Sequence, residues 1–432
     1  MRRAAARAVL VLLAPAAAAF LVEAAARLAP SSAPTDSESA LLWVAGTRPT
    51  FACAADGACR ADPGLVALSN PDERFAALPA PGVFRVACVG DSTTAGWPYQ
   101  PRGGYPEWLG AMLHDALPGR RSEVINLGIH AWDGARLEPV FDAALSLRPD
   151  VVVLRLGYDD YQHFLLRRPR GGPVARAAQR TRLFLLAHSA AFRLLSRGFG
   201  PVTRRGIVDV AASPLTDAEE DALIEAHRLR LRALAARARA AGTRVILLGL
   251  PHWAGYAPRY PALRAYDRLE AATGEEARAL DVPFVPLTEF KTRERFVDIV
   301  HFDLEGYRLA ALDVARALAA AGLGAPAARW RWDLIAPPAQ MERRLGLDEP
   351  EYRAHLETSL ARFALVHGDR ASAARHMESA LRIAPNSDLV PAEEAQGIPE
   401  MKALYRETFQ RLAKAGRAAP PLQAGNRAMA GL

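Results

Sequence analysis

Between residues 83 and 321 the sequence predicts an α/β domain whose strands run parallel in one sheet, with helices on both faces. Three observations carry that expectation. Five short runs, at 84–90, 123–127, 151–156, 245–250 and 283–287, have strand length and are mostly apolar, as strands covered on both faces are. Helical periodicity separates them, and alternation of strand and helix calls for a parallel sheet with two helical layers. The first run also breaks at Gly90 into Asp91, Ser92 and Thr93, which places a serine at a strand's carboxyl end, the edge where open parallel sheets hold ligands. Five such strands make a flavodoxin-like three-layer core.

Taken in order, residues 1–30 read as a membrane anchor or signal segment. Arg2, Arg3 and Arg7 precede an uncharged run from Ala8 to Val22, an asymmetry that holds the N-terminus in the cytoplasm and sends the remainder of the chain across the membrane. The run is short for a spanning helix, and Ala16 to Ala19 suit signal peptidase, so an anchor and a cleaved signal are both compatible with it. The catalytic part is expected outside the cytoplasm, periplasmic on an anchor or secreted after cleavage. Residues 31–81 are polar, contain proline and lack periodicity, as a stalk does. Cys53 and Cys59 within them are expected to pair in an oxidising compartment, whereas Cys88, inside the first strand, reads as a buried hydrophobe.

Helices are expected at 105–117, around 137–147, and at 216–241, 259–280 and 304–321. The third has the clearest start, with Thr216 and Glu219 at capping-box spacing and Gly242 ending the pattern. An insertion at 161–213 interrupts the alternation with ten arginines and one acidic residue, Asp209, punctuated by Phe184, Leu186, Phe192 and Leu195. It reads as one or two amphipathic helices, serving as a lid, as a basic surface near the membrane, or as a solvated insertion. With it, the domain spans 82–325. From 326 to 432 the pattern is helical, and Leu360, Ala361, Ala364, Gly368, Ala373, Met377, Ala380 and Pro385 resemble the small and apolar positions of one tetratricopeptide repeat. A single repeat cannot bury its own face, so it must pack on the helix near 401–415, on the domain, or on a protein partner.

A serine hydroxyl is a poor nucleophile at neutral pH. It needs an imidazole to take its proton and a carboxylate to fix the imidazole's tautomer. Asp298 and His301, three residues apart just before the last helix of the domain, supply both from one loop. Gly90-Asp91-Ser92-Thr93-Thr94-Ala95-Gly96, Asn126-Leu127-Gly128, Gly157-Tyr158-Asp159-Asp160 and Asp298-Ile299-Val300-His301 followed by Gly306 resemble, in order, four blocks of the SGNH/GDSL hydrolase superfamily, serine esterases and acyltransferases on a flavodoxin-like sheet. The resemblance implies Ser92, His301 and Asp298 as catalytic residues and an oxyanion hole from the amides of Ser92 and Gly128 and the side chain at 159, with Asp160 in the scaffold. It departs at Asp159, where the family has asparagine. An ionised carboxylate there repels an oxyanion, so Asp159 must be protonated, turned away or replaced by another donor. His130, Trp132, His252 and Trp253 follow the second and fourth strands at the ligand edge and are candidate pocket residues or loop packing.

Composition bounds the rest. At 432 residues, 50% hydrophobic and 23% charged, the chain buries a large core, and its net charge of +7 favours anionic surfaces or substrates without naming one. It carries no nucleic-acid motif, its cysteines are too few for a structural zinc site, and the chemistry calls for no cofactor. Two classes stand: an extracytoplasmic serine esterase or acyltransferase acting on acyl groups, O-acetyl above all, of a carbohydrate or lipid; and an SGNH-like binding scaffold with weakened catalysis that holds a protein partner through its C-terminal helices.

Overall fold

A computed structural model describes residues 18, 20–29, 51–61, 73–167, 172–198, 215–253, 263–287, 295–366, 369–384 and 399–414. A first helix, α1, spans 20–28. Among the described residues no helix is long and apolar enough to cross a membrane, and residues 1–17, where the anchor or signal reading begins, lie outside them.

Three short strands come next, β1 (Phe51–Cys53), β2 (Ala58–Ala61) and β3 (Arg74–Ala76), paired antiparallel in that order. Cys53 and Cys59 face each other in the β1–β2 register and form a disulfide. The stalk expected over 31–81 is therefore replaced, where it is described, by a small sheet that belongs to the folded body. Phe75 and Cys59 are buried in the same apolar cluster as Leu137, Phe141 and Leu234. Strands of three and four residues are too short to show a periodicity, so nothing in the residue pattern announces them.

The main sheet comprises β4 (Phe84–Gly90), β5 (Ser122–Gly128), β6 (Val151–Leu154), β7 (Arg244–Leu248) and β8 (Phe284–Val285), all parallel, in the spatial order β5-β4-β6-β7-β8. This is the expected α/β fold. Side chains alternate between its two cores as the pleat requires. Phe84, Val86 and Cys88 of β4 join Val151, Val153, Ile246 and Leu248 on one face, and Ala87, Val89, Val152, Leu154 and Leu247 lie on the other.

The helices of this part of the chain are α2 (Ser92–Ala95), α3 (Tyr105–Ala116), α4 (Gly134–Ser146), α5 (Tyr158–Arg167), α6 (Pro173–His188), α7 (Ala190–Gly198), α8 (Asp217–Ala240), α9 (Leu263–Leu280) and α10 (Leu304–Ala320). The first face carries α3, through Tyr105, Trp108, Leu109 and Met112, and α10, through Tyr307, Ala311 and Val314. The second carries α4 and α8, through Leu137, Val140, Phe141, Leu231 and Leu234. Thr216 closes the capping box at the start of α8 with Glu219, as its spacing foretells. The insertion forms α6, α7 and most of α5, while 168–171 and 199–214 lie outside the described residues.

The C-terminal region is helical: α11 (Pro338–Leu345), α12 (Pro350–Val366), α13 (Arg370–Ile383) and α14 (Pro399–Lys414). Ala361, Ala364, Ala373, Met377 and Ala380 are buried between α12 and α13, and Leu404 and Tyr405 of α14 close that cluster. Small residues at the facing positions let the two helices approach closely. Gly368 and Pro385, two of the repeat-like positions, lie outside the described residues. The start of α12 packs on the domain instead: Tyr352 lies in the core with α3 and α10, and its hydroxyl donates to the Tyr99 carbonyl at 2.5 Å.

Candidate active site

Ser92 opens α2, the single turn at the end of β4. Asp91 caps that turn, its Oδ1 accepting the Thr93 amide at 3.0 Å, and Gly96 ends it in the left-handed region at φ 92°. Two glycines let this turn lie directly on the sheet. A Cβ on Gly90 would sit 2.1 Å from Thr94 Oγ1, and one on Gly128 would sit 2.1 Å from the Ala95 nitrogen. The turn thus rests on the ends of β4 and β5, and Ser92 stands at the carboxyl edge.

The partner loop lies across that edge. An isolated bridge between Phe296 and Phe302 closes it, and Val297 N–H donates to the His301 carbonyl at 2.9 Å. Asp298 is buried within it. Its Oδ1 accepts the amides of Val300 and His301, both at 2.8 Å, and its Oδ2 lies 2.6 Å from His301 Nδ1. Burial works to raise this carboxyl, but the His301 charge, the imidazole hydrogen bond and the two amides together hold it below the ordinary aspartate value. An ionised Asp298 requires the proton on Nδ1, which leaves Nε2 as an acceptor. Ser92 Oγ is 2.7 Å from that nitrogen. The structure therefore brings together the three residues predicted to share a proton, in the predicted order.

A cluster of buried charge begins at Asp91, the residue before Ser92. Asp91, Asp133, Asp159 and Asp160 are all buried, and Asp159 is 9% exposed. Arg155, fully buried at the end of β6, pairs with Asp91; Arg136 Nε lies 3.0 Å from Asp133 Oδ2; Arg230 Nη1 lies 3.3 Å from Asp160 Oδ1. Three guanidiniums thus answer three carboxylates, and Asp159 is the fourth. Burial pushes its carboxyl well above the ordinary value, Asp91, Asp133 and Asp160 push the same way, and only Arg136 opposes them. The charge imbalance and the burial are both relieved by one proton on Asp159. Asp160 is also raised, to about 6, by burial against the pull of Arg230. It accepts the Gly134 amide at 3.1 Å, which is the scaffold role expected of it.

The family model for the GDSL-like lipase/acylhydrolase family matches residues 88–309, just over half of the chain. The chain belongs to this family. No curated protein matches it. Solved structures similar to it include a putative lipolytic protein of the G-D-S-L family from Desulfitobacterium hafniense, at 15% identity over 54% of this chain and 99% of that one, with a TM-score of 0.35. The lipase/acylhydrolase from Enterococcus faecalis is similar at 17% identity over 54% and 94%, with a TM-score of 0.35. A variant of an acetyl-xylooligosaccharide esterase from Geobacillus Stearmophilus is similar at 16% identity over 54% and 93%, with a TM-score of 0.36.

For this GDSL-like chain one site expectation needs correction, that of Gly128, and for Trp132 and His252 the packing alternative holds. The resemblance has Gly128 aim its amide at the oxyanion, but that N–H donates to Asn126 Oδ1 at 3.0 Å, and the missing side chain is needed to seat α2. Trp132 is buried in the core with the Arg136 guanidinium over its ring at 5.3 Å, and His252 is buried beside Tyr266 at 6.0 Å between centroids. Both are packing residues, because each loop folds inward at once to cap a core cluster. His130 and Trp253 are partly buried. The Trp253 amide donates to the Ile299 carbonyl at 2.8 Å, so the loop after β7 braces the loop of Asp298 and His301.

Two features escaped the sequence. Trp97 lies against the His301 ring at 4.8 Å between centroids, and its other neighbour is Phe363 of α12, also at 4.8 Å. Tyr307 holds Trp97 in place by donating to its carbonyl at 2.6 Å. The second is the Arg155–Asp91 pair beneath the serine, whose only trace in the sequence is an arginine ending an apolar strand.

Proposed function

We propose that the protein is an extracytoplasmic serine esterase or acyltransferase. Ser92 attacks the ester carbonyl, His301 Nε2 takes its proton and passes it to the departing alcohol, and Asp298 steadies the imidazolium. Water, or a sugar hydroxyl, then enters by the same route, gives its proton to Nε2 and bonds to the acyl carbon, and Nε2 hands that proton to Ser92 Oγ as the acyl group leaves it. The observation that carries this reading is the pair of contacts at 2.7 and 2.6 Å linking Ser92, His301 and Asp298.

The tetrahedral oxyanion needs donors already in place. The amide of Ser92, in the first turn of α2, has no partner within its own helix and is one. Asp159 is a second, as a neutral acid donating its hydroxyl. A proton there turns the family's departure from asparagine into a substitution of one donor for another. The scaffold reading with weakened catalysis loses its main support on this account. With the Gly128 amide engaged, the next backbone donor is sought in the loop after β5, where Ala131 is held at φ 55°, a strained conformation of the kind found at functional turns. The substrate is an acylated carbohydrate or lipid, with O-acetyl groups favoured because Trp97, itself packed on Phe363, crowds His301.

The test is turnover of p-nitrophenyl acetate by the wild-type chain and by Ser92→Ala, with a fluorophosphonate probe mapped by mass spectrometry. Labelling of Ser92 and loss of turnover in the variant support the reading, and equal rates overturn it.

A further inference from the structure

Large apolar side chains in the exposed state are rare here and unevenly placed. Among the described residues, all but Leu78, Leu229, Trp332 and Leu334 lie on three helices, α1, α6 and α7. Phe20, Leu21, Val22 and Leu28 stand outward on α1, with Phe20 73% exposed. Val174, Phe184 and Leu195 do so on α6 and α7, Leu195 being 64% exposed. Clustered exposure of this kind marks a surface that meets something other than water.

The three helices are joined. Glu23 turns from α1 onto the start of α7, where its carboxylate accepts the Ser189 hydroxyl and the Ala190 amide, both at 2.8 Å, and the Ala191 amide at 3.2 Å. Those amides belong to the orphan donors of a helix start, and the positive end of the helix favours the anion further. Chiefly through the Ala190 amide and the Ser189 hydroxyl, Glu23 is held down to about 2, so the lock is charged at any physiological pH. Arg27 closes the joint from the other side, contacting Glu23 at 2.8 Å and the His188 carbonyl at 3.0 Å.

Glu23 aside, the charged residues of the three helices are of one sign. From 172 to 198 there are five arginines and no carboxylate, and Arg180 and Arg182 are exposed. Helices of 16 and 9 residues are also too short to span a bilayer but of a length to lie along one.

We propose that α6 and α7 lie on an anionic lipid surface beside α1, so that the enzyme is seated on the membrane by an interfacial helical pair as well as by its N-terminal segment. Apolar side chains enter the boundary between headgroups and acyl chains, and the arginines meet lipid phosphates. Glu23 and Arg27 set the pair beside the point where the chain leaves the bilayer. The inference rests on the reading of the N-terminal segment as membrane-directed, and the experiment separates the two.

The full chain, carrying a single fluorophore at Leu195→Cys or, as a control, at Leu334→Cys, is reconstituted with vesicles of phosphatidylcholine and phosphatidylglycerol containing nitroxide-labelled lipid. The expected result is quenching at 195 and none at 334, weakened in phosphatidylcholine alone and lost on Arg180→Glu with Arg182→Glu, while the chain still floats with the vesicles. Arg180→Ala and thermal melting guard against a folding defect in the double variant. Flotation without quenching at 195 overturns the seated pair and leaves the anchor standing. Absence of both flotation and quenching overturns the two together. Quenching at 195 that tracks protein density instead of lipid composition assigns the face to a second copy and also overturns the proposal.

Discussion

On the His301 side of Ser92 every charge has a partner: Asp298 holds an imidazole and two amides, and it stays ionised because of them. On the Asp159 side the count is uneven, four buried carboxylates to three guanidiniums, and burial drives the odd group toward its neutral form. The same residue type is therefore driven in opposite directions within one domain. One aspartate is held toward the anion by its hydrogen bonds, and the other is pushed toward the acid by burial and by the carboxylates around it. Role depends on environment here, and the letter alone is a poor guide.

The largest effect belongs to the paired side. Ser92→Ala is expected to lower turnover of p-nitrophenyl acetate by on the order of 10⁴-fold or more, and a residual rate close to wild type would remove the serine from the chemistry. Asp298→Asn tests the pairing itself. With the carboxylate gone the imidazole loses the partner that fixes its tautomer, and kcat should fall roughly 10⁴-fold with KM little changed.

Asp159 offers the sharper contrast. Asp159→Ala removes a donor and should cost about 100- to 1000-fold in kcat. Asp159→Asn supplies an amide donor in its place and should preserve or raise activity. The pH profiles distinguish the two states of the acid: wild-type activity should fall as pH rises through the raised value of Asp159, and the asparagine variant should lack that alkaline fall. A large loss in Asp159→Asn at neutral pH would mean that the carboxyl is needed as an anion and that the contrast with Asp298 is false.

The smallest effect is on stability, at a carboxyl away from the site. Glu73, in the cleft beside β5, is pushed up to about 7 by burial, against the Asn126 amide and with the charge of Glu123 adding to the rise. A value raised on folding favours the native state below the ordinary 4.5 and loses that advantage as pH climbs through 7. Glu73→Gln should therefore gain Tm relative to wild type as pH rises between those limits, by a few degrees, with activity unaffected. A gain that appears only below pH 4.5 would reverse the sign and the argument.

Much of this architecture is legible in the residues alone. The five strands fall within two or three residues of their expected ends, and the last strand shortens to two residues, because runs apolar on both faces leave few alternatives. Asp298 and His301 can be found because three residues of spacing put carboxylate and imidazole in one loop. Gly128 misleads for a physical reason. A glycine at a sheet edge serves equally to expose an amide or to let a helix sit close, and only the packing around it decides which. The buried Trp132 and His252 mislead because the residues after a strand sit at the ligand edge only if the loop stays there. The state of Asp159 depends on its burial and on charges from separate elements, Asp91, Asp133 and Arg136 among them, and no local pattern carries that information.

Trp97 packs against both His301 and Phe363, so the imidazole is shored up, through that indole, by a residue more than sixty positions nearer the C-terminus. A catalytic fragment cut where the family match stops, at residue 309, would take away that buttress along with the helix that bears it. The tail helices, in that sense, are masonry of the reaction chamber.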